Sequence, residues 1–162
     1  MTPAQLATLG TYIESVPAWA ALPNTNAGNS TIQAGLNANA SPDYIVWKSS
    51  LPTAEVGKTV NYVAVEALTD INRGKIDTFY GMNPDSFDPG RLDIRNYWAN
   101  TFSGALGGQG QATRDALEAL YRRKALLVEK VLATGTGSTV SPAVLGYEGT
   151  VTTDEIEQAR AL

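Results

Sequence analysis

Three features of this 162-residue sequence predict a mainly α, single-domain helical bundle with a central helical hairpin and one or two short β-strands near the C-terminus. The first is the stretch from 59 to 102, where apolar residues recur at helical spacing on either side of a proline-rich turn. The second is N-cap chemistry at both ends, Thr2 with Gln5 and Thr152 with Glu155. The third is length. A chain of this size is one domain, here residues 1–162, and buries roughly two thirds of its unfolded surface.

Taken in order, Thr2, Pro3 and Gln5 start a first helix, with Leu6, Leu9 and Ile13 as its apolar stripe and Pro17 as its stop. PNTNAGN reads as a polar loop. Ser30 with Gln33 then starts a short helix carrying Ile32 and Leu36. Tyr44-Ile45-Val46-Trp47 is β-branched and aromatic enough for a short strand, although Ser41-Pro42 also suits a helical turn. SSLPTAEVGKT is a connector to the central hairpin.

In the hairpin, Val60, Ala64, Ala67, Leu68, Ile71, Phe79 and Met82 share one helical stripe. Glu66, Asp70, Arg73 and Asp77 take the opposite face. GMNPDSFDPG ends this helix, and Asp88-Pro89 opens the next as cap and first-turn proline. Leu92, Ile94, Tyr97, Trp98 and Phe102 give the second helix the densest aromatic group in the chain. SGALGGQGQ, with four glycines, reads as a loop, and Thr113 as the cap of a further helix. That helix carries Leu117, Leu120, Tyr121, Leu127, Val128, Val131 and Leu132, with a break near Arg123–Ala125 left open. After Gly135, TGTGSTVSP is a turn and AVLGYEG an extended piece, free to pair with YIVW or with another copy. The last helix covers residues 153–162. The N-terminal forty or so residues and the C-terminal twenty-five or so read as peripheral arms.

Composition excludes several classes of function. With 43% hydrophobic and 17% charged residues the chain reads as globular and lightly charged. A net charge of −4 argues against direct nucleic-acid contact, which calls for clustered Lys and Arg. The absence of Cys removes disulfides and thiolate metal sites, and the absence of His removes the commonest general base and metal ligand. No apolar run approaches the roughly 20 residues of a spanning helix, so no membrane partner is expected. MTPAQLATLG has neither the basic segment nor the apolar core of a signal peptide.

The motifs that suggest chemistry are weaker than their structural alternatives. PTAEVGKT resembles a phosphate loop but places Pro52 where the turn needs Gly and Glu55 inside an anion cradle; a helix start explains it better. The runs GALGGQG and GTGS lack the strand–turn–helix context of a dinucleotide site. Asp85, Asp88 and Asp93 lack calcium-loop spacing and read as turn and cap residues. Glu66/Asp70 and Asp154/Glu157 read as solvated helix faces rather than a glycosidase pair. Asn29-Ser-Thr and Asn39-Ala-Ser match the glycosylation pattern by chance. Arg122-Arg123-Lys124 is the one basic cluster, suited to phosphate or an acidic partner, though Glu118 pairs naturally with Arg122. No catalytic residue, cofactor or metal is expected, and the chain reads as no enzyme.

The order of the segments IVWKSSLPTAEVG, VEALTDINRGKIDTFYGMNP, PGRLDIRNYWANTFSG and ATGTGSTVSPAVLGYEGTVTTDEIEQARAL resembles a group of small structural proteins of tailed bacteriophages. The shared motifs are a V-W-K/R-T/S-S/N-V/L-P segment at 46–52, an N-x-R-x-x-W/F-x-x-x-F-S/G-G helix at 94–104, and an A-T-G-T-G…S-P-A…F/Y-E-G ending at 133–149. The likeness covers roughly residues 41–162 and departs at RRKALLVEK, where the group carries a Thr-Arg helix start. It implies a virion or morphogenesis protein, present in the virion and, during assembly, in the host cytoplasm. A head–tail connector or tail component, homo-oligomeric and bound to portal, connector or tail proteins, is the leading expectation. A capsid decoration protein or an intracellular phage protein that binds a host factor stands beside it. Exposed members of Tyr44, Trp47, Tyr97, Tyr121, Arg122, Arg123 and Tyr147 are the candidate interface residues.

Overall fold

The computed structural model describes residues 1–103 and 106–162, so the start of the glycine-rich loop at 104–105 lies outside the described residues. In chain order the helices and strands are α1 (Pro3–Ser15), α2 (Pro17–Ala20), α3 (Asn26–Leu36), β1 (Ile45–Trp47), β2 (Leu51–Pro52), α4 (Thr53–Thr59) and α5 (Tyr62–Glu66). There follow α6 (Asp70–Met82), β3 (Ser86–Phe87), α7 (Leu92–Thr101), α8 (Gly107–Leu120), β4 (Arg122–Lys124), α9 (Leu127–Leu132) and α10 (Thr153–Ala159). The architecture is mainly helical, and its strands are short. β1 pairs with β4, and β2 pairs antiparallel with β3 through Leu51 opposite Phe87.

By compactness the chain divides into two units, Met1–Val46 with Lys124–Leu162, and Trp47–Arg123. The first unit is built from both ends of the sequence. Thr2 and Gln5 form the expected capping box, Gln5 N–H donating to Thr2 Oγ1 at 3.2 Å and Thr2 N–H to Gln5 Oε1 at 2.8 Å. Thr152 and Glu155 repeat the device on α10. Helix α3 starts at Asn26 rather than at Ser30, because Thr25 supplies the cap. Leu9, Ile13, Ile32, Leu36, Val128 and Ile156 are fully buried together, each contributing about 1.5–3 kcal/mol by leaving water. The terminal segments read as arms therefore supply much of this core.

Two further outcomes concern the C-terminal half of this unit. The last thirty residues hold isolated bridges in place of a strand: Val46 bridges Ala143 in parallel and Thr134 bridges Val144. Ala143 N–H donates to Ile45 O at 2.9 Å, so the extended piece pairs with its own YIVW segment. The helix left open near 123–125 is broken: α8 ends at Leu120, β4 intervenes, and α9 begins at Leu127.

The second unit holds the aromatic core. Phe79 meets Trp98 at 4.8 Å and Phe87 at 5.0 Å, both edge-on, and Trp98 stacks on Phe102 at 6.1 Å. Each such pair adds about 0.5–1.5 kcal/mol beyond burial. The first arm of the expected hairpin is two helices, not one. Thr69 accepts from Asn72 N–H and starts α6 afresh, which rotates the stripe: Ala64, Leu68 and Phe79 are buried, while Ala67, Ile71 and Met82 face solvent. Asp88 and Pro89 do not open α7. Asp88 Oδ1 accepts from Gly90 N–H at 2.7 Å in a turn, and the helix begins at Leu92. Residues 107–111, read as loop, are the first turns of α8. Gly110 is buried there, where a β-carbon would sit 3.2 Å from Phe102 O and 2.8 Å from Leu106 Cβ. Close packing offsets the poor helix propensity of glycine.

Candidate interface around Trp47

Trp47 ends β1 at the start of the second unit, and the Lys48 N–H donates to Tyr121 O at 2.9 Å, which holds the strand beside the end of α8. Two guanidinium groups gather on its indole. Arg95 Cζ lies 4.1 Å and Arg122 Cζ 5.1 Å from a Trp47 ring centroid. Both distances are within the range of cation–π attraction.

Each arginine is fixed by a second set of contacts. Arg95, on α7, donates through Nη1 to Pro89 O at 2.9 Å and to Gly90 O, so it also closes the turn before its own helix. Arg122 pairs with Glu118 one turn earlier, as the spacing predicts. Partial burial first, and then Arg122, pull the Arg95 pKa down, while Asp88 and Glu118 oppose them. The group stays charged at neutral pH.

Behind Arg95, between α7 and α8, a narrow cleft of about 20 Å³ is lined by Arg95, Trp98, Arg114, Leu117, Glu118 and Tyr121 among others. Trp98 Nε1 and the Tyr121 hydroxyl are both buried without a hydrogen-bond partner. Burial, then Tyr80, push the Tyr121 phenol up, which keeps it a neutral O–H. On the other side of α7, a groove of about 470 Å³ is lined by Met82 and Asn83 at the end of α6 and by Arg91, Ile94 and Tyr97 around the start of α7.

The predicted interface residues separate by unit. Trp47, Tyr97, Tyr121 and Arg122 belong to the second unit together with Arg123, which lies half-buried in β4; Tyr44 and Tyr147 belong to the first. Tyr121 is 1% exposed, with its ring 5.9 Å from Phe87, so it is a core residue and not a surface anchor. Tyr97 is half-buried and donates its hydroxyl to Lys75 O. Tyr44 donates to Gly135 O at 2.7 Å under Lys130 Nζ, 5.7 Å from the ring, and Tyr147 donates to Thr150 O at 2.7 Å. Sequence reasoning missed Arg95 and Arg114. The spacing of Arg114, Glu118 and Arg122 at four-residue intervals was the available signal for the latter.

The motifs set aside above fall into ordinary roles. Lys58 pairs with Glu55 at 2.6 Å within α4, and Asp93 pairs with Arg91. Among the described residues no three acidic side chains converge on a metal position, and no helix is long and apolar enough to cross a membrane. The chain matches no protein-family model, no curated protein and no solved structure.

Proposed function

We propose that this is a non-enzymatic structural protein of a bacteriophage virion, a head–tail connector or tail component that works by assembling with other phage proteins and with copies of itself. The observation that carries the reading is the display of large apolar side chains. Ile71 and Met82 are each 77% exposed, Leu92 is 63% exposed and Val140 is 91% exposed. Where such side chains lie side by side, they mark surfaces that meet another protein. The Arg95–Trp47–Arg122 group adds the residue types that dominate protein interfaces. The segment order resembling small tailed-phage proteins supplies the context. Tyr44, Trp47, Tyr97, Arg122, Arg123 and Tyr147 remain the residues proposed to meet partners.

Mass spectrometry of gradient-purified virions, quantified against the major capsid protein, tests this. About six to twelve copies per particle, the order expected of one closed ring, supports a connector or tail role. Hundreds of copies indicate decoration of the capsid. Absence from the particle overturns the virion reading and points to a host factor as partner.

A further inference from the structure

We propose that the cleft between α7 and α8 is a carboxylate site, which takes an aspartate or glutamate side chain of a partner protein. One carboxylate oxygen accepts from the Trp98 indole N–H, and the other faces the Arg95 and Arg114 guanidiniums. That the carboxylate comes from a partner protein rests on the assembly reading above; the site itself does not.

The cleft holds more donors than acceptors: Trp98, Arg95 and Arg114 donate only, and the Tyr121 hydroxyl can do either. Trp98 is 2% exposed and its Nε1–H, a donor only, has no acceptor. A buried donor left in that state has lost its hydration without a replacement acceptor. Arg95 and Arg114 line the same cleft, and among the described residues neither makes an ion pair. Arg95 bonds the carbonyls of Pro89 and Gly90, and Arg114 those of Phe102 and the Gln111 side chain. Glu118 is the carboxylate that lines the cleft, and it is engaged by Arg122. Asp88 acts on Arg95 from the preceding turn. Of the charged side chains that line the cleft, Arg95 and Arg114 are positive and Glu118 is negative, so the lining is net positive.

Size narrows the class of ligand. Space of about 20 Å³ admits one water-sized oxygen. A carboxylate can insert one oxygen and leave the second at the guanidinium mouth. A tetrahedral phosphate that inserts one oxygen leaves three more to crowd the mouth, which disfavours a nucleic-acid backbone. A water satisfies Trp98 but leaves the charge of Arg95 and Arg114 unmet. Planar, doubly donating guanidiniums suit a carboxylate, and stacking on Trp47 pre-orders Arg95 for it.

The test is an acetate titration of the ¹⁵N-labelled full chain, with chloride at equal ionic strength and inorganic phosphate as controls. The three indole N–H signals, from Trp19, Trp47 and Trp98, are followed, and Trp98→Phe assigns the third. Expected is a saturable shift of the Trp98 signal in acetate that chloride and phosphate do not reproduce. Arg114→Gln should weaken the acetate response about tenfold, the loss of one charge-assisted hydrogen bond, and Arg114→Lys by less. A glutamate-rich peptide should reproduce the acetate shift. A Trp98 signal that stays still, or moves equally in all three salts, overturns the proposal and leaves a bound water as the occupant. The failure modes are distinct: acetate binding by a protein absent from virions would sink the assembly reading alone, and a virion protein with an unresponsive Trp98 would sink the site alone.

Discussion

The Arg95 guanidinium lies over the Trp47 indole, its Cζ 4.1 Å from the ring centroid, and so joins the end of β1 to α7. Arg122 approaches the same indole at 5.1 Å. The indole therefore attracts two like-charged groups, and Glu118 offsets part of their repulsion.

Trp47→Leu keeps apolar bulk at this position and removes both cation–π contacts. The expected loss is about 1–2 kcal/mol, from two contacts at partly exposed sites. It should appear as a lower urea midpoint with an unchanged slope. Trp47→Phe should fall between the two. A Leu variant as stable as the parent means that the stacking contributes nothing to folding.

What the sequence reveals here depends on how local the cause is. The capping boxes of Thr2 and Thr152 involve residues three apart, and both appear as read. Thr69 sits inside apolar spacing that reads as one continuous helix, and its capping of α6 exposes Ile71 and Met82. The start of α8 depends on the Phe102 backbone approaching Gly110, a tertiary cause with no pattern in the glycine-rich run itself. The interface cluster is partly legible for the same reason: Glu118–Arg122 is local, whereas Arg95 meets Trp47 only through the fold. The burial of Tyr121 is likewise set by where Phe87 comes to rest.

The capping carboxylate of α10 carries a pH dependence. Burial raises the Glu155 pKa, but hydrogen bonds from Thr152 and the N-terminal ammonium outweigh it, so the group titrates below its ordinary 4.5. A lowered folded pKa adds stability that is fully present above about 4.5 and is lost as pH falls through the folded value. Glu155→Gln should therefore cost about 1 kcal/mol at pH 6, and its gap from the parent should be smaller at pH 3. Urea midpoints at the two pH values give the comparison. A gap just as large at pH 3 would assign the loss to packing instead.

Glu129 is 1% exposed and ties two segments of the first unit together. Its Oε2 accepts from Leu126 N–H at 2.9 Å and its Oε1 from Gly149 N–H at 3.0 Å. Glu129→Leu fills much of the space but orphans both half-buried donors, at about 1 kcal/mol each. Glu129→Gln keeps one acceptor and turns an NH₂ toward the other donor, so it should cost less than Leu but more than a surface change. Thermal unfolding ranks the variants. Equal melting points for Leu and the parent would show that these contacts are dispensable.

Gly10 sets how closely α1 approaches α10. A β-carbon at this position would lie 2.2 Å from Ala159 O and 3.1 Å from Ala159 C, backbone atoms that cannot move aside without shifting the helix. Its backbone is ordinary helix, so the demand is for space and not for a special dihedral angle. Gly10→Ala raises intrinsic helix propensity by about 1 kcal/mol, and a helix free to relax would gain from it. Ile156 and Ala159 are buried against α1's face, so α10 instead pays with lost packing, and the net expected change is a destabilisation of about 1–3 kcal/mol. Hydrogen exchange should show that loss first in α10, as faster exchange of the Arg160 N–H that donates to Ile156 O. A more stable Gly10→Ala protein would mean that the two helices are not held at this spacing.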